Sequence, residues 1–221
     1  MNKFINALLF FIFLPTMALT IFVGFDLPLE SLGTSGAELP YRDYAFLGLG
    51  LMIFLINLRR SVRRWMGLRI VNQVHKFKWN EPVSKERKQR VQVYTLLEVF
   101  VFISISYSCY HLTPEAWPPV LAFLLAACDG LFFTVIGSFR NRFRVGITAK
   151  AIVSGDRDVA LVYFSGLRKI SIHQDTIYFD YIKNLQLSIP LDCISIADRN
   201  TFFKALENQL DTNRVFITQQ R

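Results

Sequence analysis

Asp129 is the carboxylate set deepest in an apolar run of this chain, PPVLAFLLAACDGLFFTVIGSF, about ten residues from either end. A charged, unpaired carboxylate in hydrocarbon costs several kcal/mol, so it must face other protein, accept hydrogen bonds or hold a proton. At about 1.5 Å of rise per residue, Asp129 lies about 16 Å from Arg140, and Ser104 about 15 Å from Tyr94 in the preceding apolar run. Ser104, Tyr107 and Ser108 are therefore expected near its level on a neighbouring helix, with Thr16 at a similar depth in the first run. Glu98 lies only about 6 Å inside the boundary on the same scale, within reach of headgroup water or Arg140. Two chemistries fit this polar cluster. One is a proton or cation site; the other is a hydrogen-bonded contact between helices or subunits, where small serines let backbones approach. The cluster lacks a second charge at Asp129's depth, and no broken-helix pair or internal repeat argues for a transporter.

Other reactive side chains form no recognisable centre. Cys109, Cys128 and Cys193 have no CxxC or Cys/His spacing, which argues against a disulfide framework and a metal site. His75, His111 and His173 lack a nearby Cys or carboxylate arranged for nucleophilic chemistry, although Glu115 near His111 suggests an outer-face pair. Phosphate-binding, dinucleotide, zinc-protease and nucleophile-elbow motifs are all missing. The expectation is a non-enzymatic protein without a cofactor.

The elements that must hold these residues are mostly membrane spans. The chain has 221 residues, 52% of them hydrophobic, 21 Phe and a mean hydropathy of +0.31, with the apolar residues gathered in blocks. Crossing ~30 Å of hydrocarbon takes about 20 helical residues. Four blocks qualify or nearly do: 4–25, 44–58, 94–112 and 119–139. The first contains Pro15, which a membrane helix tolerates; its rival reading is a secretory signal, against which stand its length and the lack of a small-x-small cleavage site. Only Thr113 to Pro118 separate the last two, so they form a tight hairpin.

Orientation follows from charge. Residues 59–90 hold 11 of the 25 Lys and Arg residues against Glu81 and Glu86, a local charge of +9 in a chain of net +8. Arg140, Arg142 and Arg144 follow the last block. The loop from Asp26 to Asp43 carries Asp26, Glu30, Glu38 and Asp43 against Arg42, and the loop from Thr113 to Pro118 has Glu115 and no base. The positive-inside rule places both basic segments in the cytoplasm of a bacterial cell, with both termini inside. Tyr41, Tyr44 and Trp117 then fall at the outer interface and Trp65 at the inner one. Residues Arg59 to Trp79 suggest a surface helix with Trp65, Leu68, Ile70, Val71, Val74 and Phe77 on its apolar side. Arg59, Arg60, Arg63, Arg64, Arg69, Lys76 and Lys78 are then candidates to meet anionic lipid headgroups. The bland alternative is that these charges act only as a topology signal. Without a recognised nucleic-acid-binding fold, nucleic acid is not an expected partner. Asn80 to Arg90 reads as a polar connector.

After residue 142 the pattern changes to short alternating strands: 143–147, 151–153, 159–164, 167–173, 176–181 and 185–189, with a possible seventh at 191–196. Turn signals lie at Gly155-Asp156, Ser165-Gly166, Gln174-Asp175 and Lys183-Asn184. A helix follows from about Arg199 to Leu210, with Asp198 as its expected N-cap and Phe202, Phe203, Leu206 and Leu210 as a core stripe.

The order GITAKAIVSG, VALVYFSGLRKISIHQDTIYFDY, LQLSIPLDCI and DRNTFFKALENQL resembles the bacterial pleckstrin-homology-like (PH-like) domains of membrane proteins, including the YcxB-like kind, over residues 143–211. The resemblance implies a β-barrel or curved sheet with a C-terminal helix and transfers no catalytic residue. A basic phosphoinositide loop has no counterpart here, since residues from Val145 onward carry nine basic and eight acidic side chains. The expected fold is thus α+β: a four-span membrane domain, residues 1–142, with a basic cytoplasmic segment at 59–93, then a small cytoplasmic PH-like domain at 143–221. The expected role is an interaction, scaffold or regulatory module of the inner membrane, acting through a protein partner or self-association. The alternatives are a homo-oligomeric pore or membrane-perturbing effector gated by the C-terminal domain, and an accessory subunit of a transporter or secretion complex.

Overall fold

The computed structural model describes residues 2–29, 33–182, 185–210 and 215–219. The chain forms two compact units: a helical one running to Val62 and taking in Tyr94–Phe132, and a sheet-rich one made of Arg63–Val93 and the chain from Phe133 onward. The fold is α+β, with three long apolar helices preceding most of the strands and a C-terminal helix following.

In the helical unit, α1 (Asn2–Gly24) is followed by a two-strand ribbon, β1 (Pro28–Leu29) and β2 (Thr34–Ser35). Along the chain then come α2 (Arg42–Val71), β3 (Trp79–Pro82), which belongs to the sheet unit, α3 (Lys85–Leu112) and α4 (Trp117–Phe139). Helices α2, α3 and α4 are long and apolar enough to cross a membrane. Only 22% of the apolar window of α2, and the same share of α3, is buried inside the protein. Side chains such as Leu51, Leu55, Leu97 and Phe100 point outward, a surface far too apolar for water, and this is a membrane protein. Inside the unit Ile12, Ile53, Ala122 and Phe123 pack together, with Phe13 edge-on to Phe123 at 6.4 Å. Gly50 lets α2 meet the start of α4, because a Cβ there would lie 2.7 Å from the Pro118 backbone. Thr16 bonds its own helix, donating to the Ile12 carbonyl at 2.7 Å.

The sheet unit begins earlier in the chain than its composition suggests. Residues Trp79–Pro82 form a strand within the stretch read above as a connector, and β3 pairs antiparallel with β4 (Arg144–Ile147), Asn80 opposite Gly146. A whole helical hairpin is thus inserted in the chain between the first two strands of one sheet. That sheet continues through β5 (Ala151–Gly155) and β6 (Val159–Tyr163) in the order β3-β4-β5-β6. The second sheet has the order β10-β7-β8-β9, from β7 (Leu167–His173), β8 (Thr176–Tyr181), β9 (Gln186–Pro190) and β10 (Phe216–Gln219), the last parallel to β7. Helix α5 (Arg199–Glu207) lies between β9 and β10 in the chain and buries Phe202 and Leu206, with Trp79 edge-on to Phe202 at 5.1 Å.

Three local expectations are corrected. Residues 191–196 are not a strand; Leu191–Cys193 is a 3-10 turn, as is Ile196–Asp198. Asp198 does not cap α5 with its side chain, since its carboxylate accepts from Ser195 Oγ at 2.7 Å and its carbonyl from Thr201 Oγ1 at 2.8 Å. The segment from Arg59 is not a separate surface helix but the continuation of α2 to Val71. Its apolar residues divide between two sides: Leu68 and Val71 are buried in the protein, whereas Ile70 and Val74 stay exposed. Close packing explains the division. A Cβ at Gly67 would sit 1.8 Å from Val159 Cγ2 of β6, and one at Gly155 would meet Val71 at 2.8 Å. The turn expected at Lys183-Asn184 and the position of Glu30 lie outside the described residues.

Candidate functional site

Two polar contacts brace the helical unit, and consecutive residues of α2 make both. Ser61 Oγ donates to Asp129 Oδ1 of α4 at 2.7 Å. Arg60 forks onto Glu98 of α3, its Nη1 on Oε1 and its Nη2 3.0 Å from Oε2. Successive helical residues are about 100° apart, so one turn of α2 reaches two different neighbours. The Arg60 and Glu98 side chains are 10% and 18% exposed. A bidentate guanidinium–carboxylate pair in so dry a place is strong and orients both helices.

The carboxylates therefore take different partners from those read in sequence. Glu98 takes Arg60 rather than Arg140. Asp129 is met by a serine of α2; on α3, Ser104 is exposed, Ser108 half-buried, and the Tyr107 ring lies tilted against His111 at 4.3 Å. The serine that α3 turns inward is Ser106, whose hydroxyl donates to the Phe102 carbonyl at 2.8 Å. Glu115 pairs with Arg42 at 2.9 Å and accepts from Thr113 at 2.5 Å rather than meeting His111. Depth differs too. From Phe133 onward α4 belongs to the sheet unit, so Asp129 lies near the end of the part of α4 within the helical unit. Its partner Ser61 lies about 4.5 Å beyond Leu58, the last residue of α2's apolar block. Asp129, Ser61, Arg60 and Glu98 together form a polar layer within the helical unit. Ser61 is the residue that sequence reasoning missed; its signal was a small hydroxyl inside RRSVRR, one residue from the arginine that pairs with Glu98.

The seven cations considered for lipid contact separate into two groups. Arg60 is paired, Arg63 donates to the Val159 carbonyl at 3.4 Å, and buried Arg64 holds its guanidinium 5.1 Å from the centre of the Phe133 ring. Arg59, Arg69, Lys76 and Lys78 are exposed. Further along, Arg87 bonds Asp156 at 2.7 Å and Arg90 bonds Asp192 at 2.8 Å, fastening the start of α3 to the sheet unit. Cys193 lies buried beside Asp156; burial first, and that carboxylate second, push its thiol well above the ordinary range.

The second sheet offers an open edge. The IYFDY strand is β8 and lies in the interior of its sheet, whereas LQLSI forms β9 at the edge. Tyr181 N donates to the Leu185 carbonyl and Leu191 N to the Asp175 carbonyl. Bonded pairs alternate along an antiparallel ladder, so Leu187 and Ile189 bond to β8 and Gln186 and Ser188 turn their backbone groups outward. Ile189 is buried, Gln186 and Ser188 are exposed, and exposed Ile182 and Leu185 precede the edge. Tyr181 Oη donates to the Tyr163 carbonyl at 2.5 Å, joining β8 to β6, and burial pushes its phenol above the ordinary value.

Among the described residues, no group of three or more His, Cys, Asp or Glu side chains is placed to hold a metal ion. No family model matches the chain, and no curated protein or solved structure is found to be similar to it.

Proposed function

We propose that this is a non-enzymatic interaction module of a bacterial cytoplasmic membrane, holding a small cytoplasmic β domain that takes an extended peptide of a protein partner along β9. The observation that carries the reading is the open edge of β9, with the Gln186 and Ser188 backbone groups turned outward beside exposed Ile182 and Leu185. Strand addition draws affinity from such main-chain groups and specificity from alternate side chains. A PH-like domain is supported by the chain order: four antiparallel strands, three more antiparallel strands, then a helix. The helical hairpin between its first two strands and the parallel β10 are this chain's own departures from a simple domain of that kind.

On this reading α1 is a fourth crossing and both termini are cytoplasmic, as the +9 charge of residues 59–90 favours. The polar layer then braces the bundle rather than conducting, because Glu98 is already held by a guanidinium and Asp129 by a hydroxyl. The test is a photo-crosslinker placed in the full-length protein in cells at Ser188, with exposed Lys150 as the control position. A discrete crosslinked polypeptide from Ser188, absent from Lys150, is expected. Identical patterns from the two positions, or no product from either, would remove the β9 reading.

A further inference from the structure

The sheet unit contains a cleft of about 580 Å³ lined by Trp65, Leu68, Arg69, Asn72 and Arg142. This is within the range of about 300–1,000 Å³ typical of small-molecule clefts. Trp65, Leu68 and Arg69 lie on a single face of α2, at i, i+3 and i+4, and Asn72 follows directly after the helix end. The cleft is built rather than incidental. Asn72 Nδ2 donates to the Leu68 carbonyl at 2.6 Å and to the Arg142 carbonyl at 2.9 Å, pinning the root of Arg142 to the helix. Trp65 stands edge-on to Phe133 at 5.4 Å and forms a firm apolar wall.

Its charge is unbalanced. The Arg69 and Arg142 guanidiniums have no hydrogen-bond or ion-pair partner among the described residues, and no carboxylate lines the cleft. Several of the unit's other cations are engaged: Arg87 and Arg90 with carboxylates, Arg64 with an aromatic ring, Arg144 with Asn80. On the same stretch of α2, Met66 and Ile70 are large apolar side chains left exposed.

We propose that this cleft is a binding site for a phosphate group, held by the Arg69 and Arg142 guanidiniums, with Trp65 and Leu68 covering the apolar part of the ligand. Guanidiniums suit phosphate because their N–H groups pair with its oxygens two at a time. Exposed Met66 and Ile70 on the same stretch of α2 favour a lipid headgroup as the source over a free phosphate compound. The site is separate from β9, and either proposal stands if the other fails.

The test uses the purified full-length protein in neutral detergent with three probes: short-chain phosphatidic acid, glycerol 3-phosphate and short-chain phosphatidylcholine. Binding is followed by thermophoresis for wild type, for the double variant R69Q/R142Q, and for R59Q, which removes an exposed cation of α2 outside the cleft. Neither cleft guanidinium supports the fold, and matched thermal unfolding of the variants checks this. Saturable binding of phosphatidic acid is expected, weakened about tenfold or more in the double variant and less than about twofold in R59Q. Stronger binding of phosphatidic acid than of glycerol 3-phosphate assigns the source to lipid; equal binding assigns it to a free phosphate ester, and both support the site. Equal weakening in R59Q and the double variant, preference for phosphatidylcholine, or no saturable binding of either phosphomonoester probe would overturn it.

Discussion

Replacing Arg60 by alanine should cost the helical unit about 3 kcal/mol or more. The Arg60 and Glu98 side chains are 10% and 18% exposed and meet in a two-pronged contact between α2 and α3. Removing one member of a buried ion pair typically costs about 3–5 kcal/mol, because the other charge stays desolvated without its counter-ion. The lower end applies here, since both side chains keep some access to solvent. A loss of about 3 kcal/mol lowers the folded-to-unfolded ratio roughly a hundredfold. Removing both partners avoids the stranded charge, so R60A/E98A should be less unstable than the sum of the single variants, with a coupling of about 1–3 kcal/mol. Steric trapping or equilibrium unfolding in mild detergent measures all four corners of the cycle. An R60A loss below about 0.5 kcal/mol, or additive single variants, would show a solvated pair and refute the bracing argument.

Asp129→Asn should be far milder, about 1 kcal/mol or less, because the amide oxygen still accepts from Ser61; flux through proteoliposomes should be nil for wild type and variant alike. Gly67→Ala gains up to about 1 kcal/mol of helix propensity but must displace Val159, at about 1–3 kcal/mol. The net effect should be a lower unfolding temperature of the sheet unit, partly restored by Val159→Ala. Cys193 should resist a hydrophilic maleimide in the native protein at pH 8 and react once the unit is denatured, as mass spectrometry would read. Because its folded thiol holds its proton to higher pH than the ordinary 9.0, the unfolded chain releases that proton first. Cys193 thus makes stability fall as pH rises above 9, and Cys193→Ser should flatten that part of the profile.

Long apolar blocks made α2, α3 and α4 legible in the sequence, since hydropathy over about twenty residues leaves few alternatives. Period-2 alternation likewise marked β7 and β8 at their observed ends, 167–173 and 176–181. One failure arose because charge was read as solvent exposure. Arg60, Arg63 and Arg64 looked like a lipid-facing row, yet each is engaged within the protein, and α2 runs unbroken through them to Val71. Strand β3, WNEP, has four residues, a proline and a charge, so no local pattern announces it; its partner β4 lies more than sixty residues on. Only tertiary pairing defines it. Asp129 accepts a hydrogen bond from a hydroxyl, but counting rise from chosen span ends pointed to Ser104 and Ser108. The actual partner, Ser61, sits on a helix whose apolar block had appeared to end at Leu58.

The central claim is that the β domain binds a foreign polypeptide along β9. Its most direct test is the mass and composition of the complex extracted in mild detergent at native expression, from wild type and from Ser188→Pro. Proline at Ser188 removes an outward N–H without touching the ladder to β8, so the fold should persist. A foreign polypeptide at fixed stoichiometry with wild type, lost with Ser188→Pro, is the expected result. A pure homo-oligomer of unchanged mass in both would contradict the claim.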